Sequence, residues 1–369
     1  MSNSILIGSC ESFSGKSAIV LGLARNLITS KKKVRIGKPL ATCLELAEEK
    51  LDQEKRIIDD DMRFIASTLQ MNENDLIPSV SFFSEQTTDK RIFDKDLEPE
   101  KTFDDFINKI NDGFIGLNIL EAGGSLNEGL IYGLSLGQLA NKLNCKVLLV
   151  NLWEDSRSID YILTAKAILG DNLLGIVLNS VNPLKIEEIN SEIKPSIESM
   201  GIKVFGIMPK SPLLRSVSVR ELVRRLHAEI ICCEDKDELL VETLSIGAMG
   251  VNSAMEFFRR RRNMAVVTGA DRTDIQFAAL EASTQCLILT GLGEPTLAII
   301  HRAEELDVPI LKVDKDTLST VEIIEHAFGH VRLHESIKAS YAVRLVEENV
   351  DIQAIFNEIN FSSDLTGIN

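Results

Sequence analysis

Short runs of apolar residues alternate with longer stretches of mixed polarity along the first 210 residues of the chain. Runs of this length are typical of strands buried on both faces, and the intervening stretches are long enough for helices. Alternating strands and helices favour a parallel sheet with helices on both sides. The pattern therefore predicts an α/β fold with a doubly wound, mainly parallel sheet. The predicted strands cover residues 4–8, 34–37, 113–120, 146–151, 174–178 and 203–207.

The first predicted strand runs into a loop of small residues that ends in Gly15-Lys16-Ser17 and precedes an apolar helix. Backbone amides in such a loop converge on a phosphate, and the positive end of the helix points at the same spot. Lys16 can then reach the β- and γ-phosphates, and the Ser17 hydroxyl can ligate Mg²⁺. An ordinary strand–helix turn is the alternative, because six residues separate Gly8 from Gly15 where the standard spacing has about four. We expect a P-loop NTPase-type domain that binds ATP and Mg²⁺, with nucleotide contacts from Gly8, Glu11, Ser12, Gly15, Lys16 and Ser17.

Charged residues at the ends of two later strands are candidates for the same site, since ligands bind at the carboxyl edge of an open α/β sheet. Lys38 follows the second strand and is a second cation for a phosphate or a developing negative charge, with an ordinary surface lysine as the alternative. Glu121 ends the next strand and is a candidate to hold Mg²⁺ or to orient a water. Lys16, Lys38 and Glu121 are therefore the candidate catalytic residues.

Several other polar features near this edge allow two interpretations. Asp59, Asp60 and Asp61 open a predicted helix, where acids complement the helix dipole, but carboxylates near a triphosphate also hold Mg²⁺. Asn179 ends a strand and can pair with a purine edge or form a turn. The polar stretch of residues 77–101 is expected to be a loop or a lid over the site. The metal candidates are thus Ser17, Asp59, Asp60, Asp61 and Glu121, and Asn179 joins the nucleotide-binding set.

The composition narrows the class of protein and its partners. A length of 369 residues favours two domains, and 44% apolar residues provide an ample core. A net charge of −15 argues against nucleic acid or an anionic membrane as a partner. The six cysteines form no CxxC pair, which indicates reduced core thiols. Since no leader and no membrane-spanning run are evident, we expect a cytoplasmic protein.

The pattern changes after Ser211, and a second, smaller α/β domain with C-terminal helices is predicted over residues 211–369. An amphipathic helix at residues 219–226 is expected to connect the two domains. His326, His330 and His334 recur every four residues, as on one helix face, but Gly329 interrupts the spacing. Because no acid or cysteine completes a ligand set, we expect no metal there.

The first 210 residues resemble the dethiobiotin synthetase family of P-loop proteins, which includes cobyrinic acid a,c-diamide synthase. More closely, they resemble the dethiobiotin synthetase-like N-terminal region of long phosphotransacetylases. The resemblance implies that Lys16 and Ser17 hold ATP and Mg²⁺, that Lys38 assists phosphoryl transfer to a carboxylate, and that the acids ligate the metal. The loop is one residue longer than in the synthetases, and Ala122 replaces the glycine after the acid. The matching segments are Gly8 to Ser17, Gly37-Lys38-Pro39, Asp59–Asp61, Glu121-Ala122-Gly123-Gly124 and Asn179.

The second half resembles the DRTGG domain, which follows the synthetase-like region in long phosphotransacetylases. Its motif here reads Asp271-Arg272-Thr273-Asp274-Ile275, without the two glycines. The resemblance implies a regulatory domain that senses a small-molecule effector and forms a homodimer or a higher homo-oligomer. Long phosphotransacetylases carry their acyl-transfer domain after this pair, for which 369 residues leave no room. We therefore expect no phosphate acetyltransferase activity from this chain alone.

Three functional hypotheses follow from these features. The first is a nucleotide-responsive regulator that binds Mg-ATP and hydrolyses it slowly or not at all. The second is an ATP-dependent synthetase that phosphorylates a substrate carboxylate before ring closure or amidation. The third is a non-catalytic partner of an acetate-metabolism enzyme. Binding and turnover of ATP distinguish them.

Overall fold

The computed structural model describes residues 3–42, 57–95 and 102–361. The chain forms two compact units, of which the second is inserted into the first. The first unit comprises residues 1–210 and 332–369, and the second comprises residues 211–331. Residues 332–369 thus belong to the first unit, not to the second as the sequence pattern suggested.

The first unit contains nine strands and eight helices before the insertion and two helices after it, counted over its described residues. The strands are β1 (Ser4–Gly8), β2 (Val34–Gly37), β3 (Leu40–Ala41), β4 (Leu76–Ile77), β5 (Ser81–Phe82), β6 (Leu117–Glu121), β7 (Lys146–Leu152), β8 (Leu173–Val181) and β9 (Val204–Pro209). The helices are α1 (Lys16–Thr29), α2 (Asp60–Thr68), α3 (Glu85–Asp94), α4 (Thr102–Ile110), α5 (Leu136–Leu143), α6 (Ile159–Leu169), α7 (Ile186–Glu188) and α8 (Lys194–Ser199).

Seven of these strands form one parallel sheet in the order β4-β2-β6-β1-β7-β8-β9. The chain moves from β1 to one side through β2 and later to the other side through β7, β8 and β9. Because such crossovers are right-handed, helices cover both faces of the sheet. Leu6 of β1 packs with Leu139 and Ile162 on α5 and α6, and α1 contacts β1 and β2. The doubly wound α/β fold is confirmed, and the order reverses beside β1, where ligands bind in such sheets.

The chain returns from the insertion to complete the first unit. Residues Ser336–Asn349 form α15 and residues Ile352–Glu358 form α16, numbered after the helices of the second unit. Helix α15 packs along α1, where Gly22 faces Val346. A Cβ at Gly22 would lie 2.5 Å from Val346 Cγ1, so the two helices are in close contact because this residue has no side chain. The apolar face of α15 is the physical reason that the C-terminal residues belong here.

The second unit is a smaller three-layer α/β domain. A five-stranded sheet in the order β11-β16-β15-β14-β13 is parallel except for β11, and β10 pairs with β12. Helices α11, α12 and α13 pack on one face of the larger sheet, and α10 and α14 pack on the other. The elements are α9 (Pro212–Arg215), β10 (Val217–Ser218), α10 (Val219–Leu226), β11 (Glu229–Cys232), β12 (Leu240–Val241), β13 (Thr243–Ile246), α11 (Val251–Phe258), β14 (Met264–Gly269), α12 (Thr273–Leu280), β15 (Thr284–Thr290), α13 (Leu297–Glu305), β16 (Ile310–Val313) and α14 (Thr317–Ala327).

Several local predictions need correction. The helix at residues 219–226 buries Leu222 and Leu226 in the core of the second unit, so it is not a connector. Residues 77–95 are not an irregular loop, since they contain β5 and α3; residues 96–101 lie outside the described residues. The three histidines share no helix, because α14 ends at Ala327.

Two further expectations concern the cysteines and the membrane. The cysteines in the described ranges are free thiols, and most are buried; Cys43 lies outside those ranges. In the part of the chain that the structure describes, no helix combines the length and apolar character needed to span a membrane.

Gly22→Val is expected to lower the free energy of unfolding of the first unit by about 2 kcal/mol, because the new side chain overlaps Val346 on α15. Urea titration followed by fluorescence measures it, since the single tryptophan, Trp153, is buried in this unit. Arg25→Val on the exposed face of α1 is the matched control. Equal stability of the two variants would contradict the close packing of α1 on α15.

Candidate functional site

The loop between β1 and α1 is held in place by Asn179 at the end of β8. Asn179 Nδ2 donates to Ser14 O at 2.7 Å, and Asn179 Oδ1 accepts from Ser180 N at 2.7 Å. The neighbouring Gly15 has a φ of 96°, and a Cβ there would overlap the Asn179 amide, so only glycine fits. The structure thus gives Asn179 the role of positioning the loop, and pairing with a purine edge stays a prediction.

Helix α1 begins directly behind this loop with Lys16 and Ser17. Gly15 O accepts from Ala18 N and Ile19 N, which closes the first turn of the helix. The amides before Ala18 have no partner within the helix and face its amino end. This end carries the positive pole of the helix dipole, so the geometry favours an anion.

The Lys16 side chain is buried, and its ammonium contacts neutral oxygens. Lys16 Nζ donates to Ser9 Oγ at 3.1 Å and to Gly124 O at 3.2 Å. Burial lowers the pKa of Lys16, and the nearby Glu121 carboxylate offsets this only in part. The charge of Lys16 is therefore available to an anion that replaces the two neutral oxygens.

The other loop residues predicted to bind the nucleotide have varied environments. Gly8 packs against Leu136, and Ser12 is exposed close to Gly124. Glu11 is half-buried, and its pKa is raised by burial and by the charge of Glu154. Ser17 is half-buried at the second position of the helix.

Lys38 is the centre of a buried group of carboxylates. Its Nζ lies 3.0 Å from Asp61 Oδ2, 3.4 Å from Asp59 Oδ2 and 3.7 Å from Glu121 Oε1, and it donates to Thr42 Oγ1 at 2.7 Å. Burial alone would lower the pKa of Lys38, but the three carboxylates outweigh it and raise that pKa. The interpretation of Lys38 as an ordinary surface lysine is therefore wrong.

The three consecutive aspartates have different environments. Asp59 caps α2, since its Oδ1 accepts from Asp61 N at 3.0 Å, and its Oδ2 accepts from Thr42 N at 2.7 Å. Asp60 is buried in the first turn of α2 with Arg63 4.0 Å away. The capping interpretation thus holds for Asp59, while Asp61 turns towards Lys38.

Asp61 also binds two residues that the sequence did not suggest. Its Oδ2 accepts from Arg332 Nη1 at 3.0 Å, and its Oδ1 is 2.9 Å from His334 Nε2. Burial would raise the pKa of Asp61, but the His334 hydrogen bond and the two neighbouring cations lower it well below its ordinary value. The two residues lie more than 270 positions from Asp61, and no local pattern could have revealed the contact.

Glu121 has one carboxylate oxygen with unused hydrogen-bonding capacity. It is buried at the end of β6, and its Oε2 has no hydrogen-bond partner among the residues that the structure describes. Burial raises its pKa, although the Lys38 ammonium opposes the shift. A buried polar atom without a partner is unusual and requires an explanation.

These side chains fit a magnesium–phosphate group better than a metal held by protein alone. No cluster of three or more His, Cys, Asp or Glu side chains in the described ranges could hold a metal ion. Mg²⁺ in nucleotide sites takes one or two protein ligands and completes its shell with phosphates and waters. Glu121 Oε2 is unpartnered among the described residues and Ser17 offers a hydroxyl in the first turn of α1, whereas Asp59 and Asp61 are already engaged.

Comparison with protein families agrees with this geometry. A family model described as an AAA domain matches residues 3–218, more than half of the chain. The chain belongs to this AAA domain family. A second model, the DRTGG domain, matches residues 221–327. With these two matches in this order, the predicted resemblance to phosphotransacetylases that carry a DRTGG domain is confirmed.

The curated relatives are similar over almost the whole chain. The phosphate acetyltransferase of Synechocystis sp. is 23% identical over 378 aligned residues, which cover 97% of this chain and 52% of that enzyme. The phosphate acetyltransferase of Nitratidesulfovibrio vulgaris is also 23% identical, over 95% of this chain and 51% of its own length. The chain thus spans about half the length of these relatives.

Solved structures show weaker similarity. MinD from Aquifex aeolicus is 14% identical, with a TM-score of 0.35 over 58% of this chain and 84% of its own. The CBS and DRTGG domains of a Clostridium perfringens pyrophosphatase, bound to the activator diadenosine tetraphosphate, are 17% identical, with a TM-score of 0.28 over 41% of this chain and 73% of theirs. At these scores the similarity supports no conclusion about ligand or activity.

Asp61→Asn is expected to lower the free energy of unfolding of the AAA domain by about 3 kcal/mol at pH 7, because it removes one carboxylate charge from the buried Lys38 and from Arg332. The pKa of Asp61 is lower in the folded state than in the unfolded one, so its stabilisation is present above the unfolded pKa and is lost as the pH falls. The difference between the wild type and the variant should therefore be constant from about pH 5 to 8 and shrink below about pH 4. Urea titrations followed by Trp153 fluorescence measure it.

The matched control for this prediction is Asp112→Asn, which removes a surface carboxylate paired with Arg35 in the same unit. Exposed pairs contribute little, so this variant should remain close to the wild type. If Asp61→Asn were as stable as Asp112→Asn, the Asp61 contacts would not stabilise the domain.

Glu121→Gln is expected to stabilise the ligand-free domain by about 1 kcal/mol at pH 8. The pKa of Glu121 is raised in the folded state, so ionised Glu121 is unfavourable and stability is lost as the pH rises through that pKa. The gain should therefore grow with pH and vanish near pH 4. A loss of stability at pH 8 would show that the contact with Lys38 outweighs the burial of the charge.

Proposed function

We propose that this chain is a nucleotide-responsive regulator, in which the AAA domain binds Mg-ATP and the DRTGG domain senses a small-molecule effector. The observation that supports it best is the buried Lys16 ammonium at the start of α1, with only neutral oxygens as its hydrogen-bond partners in the described residues. A phosphate that replaces these oxygens gains a charge-assisted contact, and no ion pair must first be broken.

The other side chains of the site suit the same ligand. Ser17 and Glu121 would hold Mg²⁺, which would neutralise charge on the phosphates and bring them close to the protein. The partner that Glu121 Oε2 lacks would then be the metal or one of its waters. Lys38, whose Nζ lies 3.7 Å from Glu121 Oε1, would contact the terminal phosphate.

Slow or absent hydrolysis is the expected consequence of the Lys38 environment. Its ammonium is shared among three carboxylates, so little of its charge remains to stabilise a transition state. Binding of the ground-state nucleotide needs less from Lys38 than phosphoryl transfer does. This balance favours a sensor over an efficient ATPase.

An ATP-dependent carboxylate-activating synthetase is the second candidate. The observation that favours it is the hydrogen bond from Lys38 to the Thr42 hydroxyl, a polar group that could position an acceptor. The third candidate, a non-catalytic partner of an acetate-metabolism enzyme, follows from the similarity to phosphate acetyltransferases. Phosphate acetyltransferase activity is not proposed for this chain alone.

The proposal extends to the assembly and location of the protein. Effector binding and homodimerisation or higher oligomerisation are assigned to the DRTGG domain, on the family match at residues 221–327. The net charge of −15 supports the absence of nucleic acid and anionic membrane partners. A cytoplasmic location remains a prediction from the free thiols.

Lys16→Ala is expected to weaken Mg-ATP binding at least about 100-fold, because it removes the buried ammonium that contacts the phosphates. Isothermal titration calorimetry measures the affinity, and phosphate release measures turnover. The wild type should bind Mg-ATP with negligible turnover. Lys33→Ala, which removes an exposed lysine outside the loop, is the control and should bind like the wild type.

Other outcomes would select the other candidates. Turnover that rises sharply with one carboxylic acid from a panel would favour the synthetase. No heat with ATP or GTP in the wild type would contradict the nucleotide-binding proposal and leave the non-catalytic partner. Equal binding by Lys16→Ala and the wild type would place any nucleotide elsewhere.

A further inference from the structure

The chain segment that returns from the second unit contributes two residues to the carboxylate group around Lys38. Arg332 is the first residue of this segment, and His334 follows two positions later, ahead of α15. Both contact Asp61, as described above. Neither belongs to the P-loop, to a strand end of the sheet or to the residues matched by the AAA domain model.

We propose that Arg332 and His334 are positioning residues of the nucleotide site, which set the charge around Lys38 and so control its availability to a phosphate. The inference rests on the proposed binding of Mg-ATP. It adds to that proposal a dependence of nucleotide affinity on residues far from the P-loop.

The hydrogen bonds show how Arg332 acts on Lys38. Arg332 Nη1 and Lys38 Nζ both donate to Asp61 Oδ2, each at 3.0 Å. Arg332 Nη2 also donates to Thr42 O at 3.1 Å, and the Thr42 hydroxyl accepts from Lys38. Arg332 therefore competes with Lys38 for one carboxylate oxygen and fixes the backbone next to its other partner.

His334 fixes the second oxygen of the same carboxylate. Its Nε2 is 2.9 Å from Asp61 Oδ1, and its ring lies against Phe64 of α2 with the centroids 5.3 Å apart. Because Asp61 is also on α2, His334 contacts this helix through two residues. With Oδ2 on Lys38 and Oδ1 on His334, a rotation of the carboxylate that gave both oxygens to Lys38 would break the His334 contact.

The balance of charge gives the direction of the effect. Lys38 faces the carboxylates of Asp59, Asp61 and Glu121, and Arg332 adds a second cation at Asp61. Without Arg332, the negative charge beside Lys38 would be less well compensated, and Asp61 would interact more strongly with the Lys38 ammonium. An anionic nucleotide would then be repelled and would find Lys38 less available.

The position in the chain suggests why such residues would be placed here. Arg332 follows Val331, the last residue of the inserted unit. A movement of Val331 would be transmitted through one peptide bond to Arg332 and so to its contact with Asp61. A dependence of nucleotide affinity on Arg332 would therefore couple the state of the inserted unit to the P-loop.

Titration of the full-length chain with Mg-ATP tests the proposal. Arg332→Ala is expected to weaken binding about tenfold, within the usual range of coupling between sites. Arg332→Lys should recover part of the loss, because it restores the charge without the planar fork. The double variant Asp61→Asn/Arg332→Ala should bind more tightly than Arg332→Ala, because it also removes the negative charge of Asp61. Arg344→Ala removes an exposed arginine of α15 and is the control.

A second measurement needs no nucleotide. Hydrogen exchange at the amides of Leu333 to Glu335 should be faster in Arg332→Ala than in Arg344→Ala, because the segment loses its contacts with Asp61 and Thr42. Unchanged exchange would show that Arg332 does not hold the segment and would overturn the proposal. The Trp153 unfolding transition identifies a variant that fails to fold. If Arg332→Ala does not fold, the exchange and the affinity of Arg332→Lys are compared with those of Arg344→Ala instead.

The outcomes separate this inference from the proposed function. Absence of binding by the wild type would contradict the proposed function and, with it, this inference. Binding by the wild type with equal or tighter binding by Arg332→Ala would overturn the inference alone. A double variant as weak as Arg332→Ala would show that Arg332 does not act through the charge of Asp61, which also overturns it.

Discussion

The buried contacts of the Lys38 ammonium are the interaction on which the rest of the site depends. Lys38 lies at the end of β2, Glu121 at the end of β6, and Asp59 and Asp61 at the start of α2. Ionised groups leave water at a high cost, and pairing in a low-dielectric interior recovers it only when the geometry is close. These ion pairs therefore require fixed positions of β2, β6 and α2 relative to one another. They also make the protonation state of each of the four side chains depend on the charges of the others. A ligand that changes one contact changes them all.

The inserted second unit gives this group an unusual chain path. Ser9, Gly15 and Lys16 of the P-loop are close in sequence, and a single strand–loop–helix unit brings them together. The contacts of Arg332 and His334 with Asp61 instead come from the segment that follows the inserted unit along the chain. Helix α15 then fixes the return by packing on α1. The integrity of the site thus depends on the helix that follows the insertion.

The difference between contacts that are local in sequence and contacts that are not explains which features the sequence could predict. The strand pattern, the loop before α1 and the positions of Lys38 and Glu121 at strand ends are local signals, and they led to the doubly wound fold and to the residues around Lys16. The sequence analysis did not predict helix α3, although Ser84 and Thr87 form a capping box at its start. The helix is polar and its apolar stripe is short. The contacts of Asn179 with Ser14 and of Arg332 with Asp61 depend on tertiary packing, which no pattern within one element encodes. Placing the C-terminal helices with the second unit failed for the same reason.

Lys16 and Glu121 are buried groups whose charged forms the ligand-free site disfavours, and both have capacity for a ligand. The pKa of Lys16 is lowered and that of Glu121 is raised, so the ligand-free domain disfavours the charged form of each. A magnesium–phosphate group would supply both missing partners at once, since the phosphate carries negative charge to Lys16 and the metal carries positive charge to Glu121. Asp61, whose charge is balanced within the protein, has no such need. The residues that the fold leaves unbalanced, rather than those that it pairs, are therefore the ones that define what the site can bind.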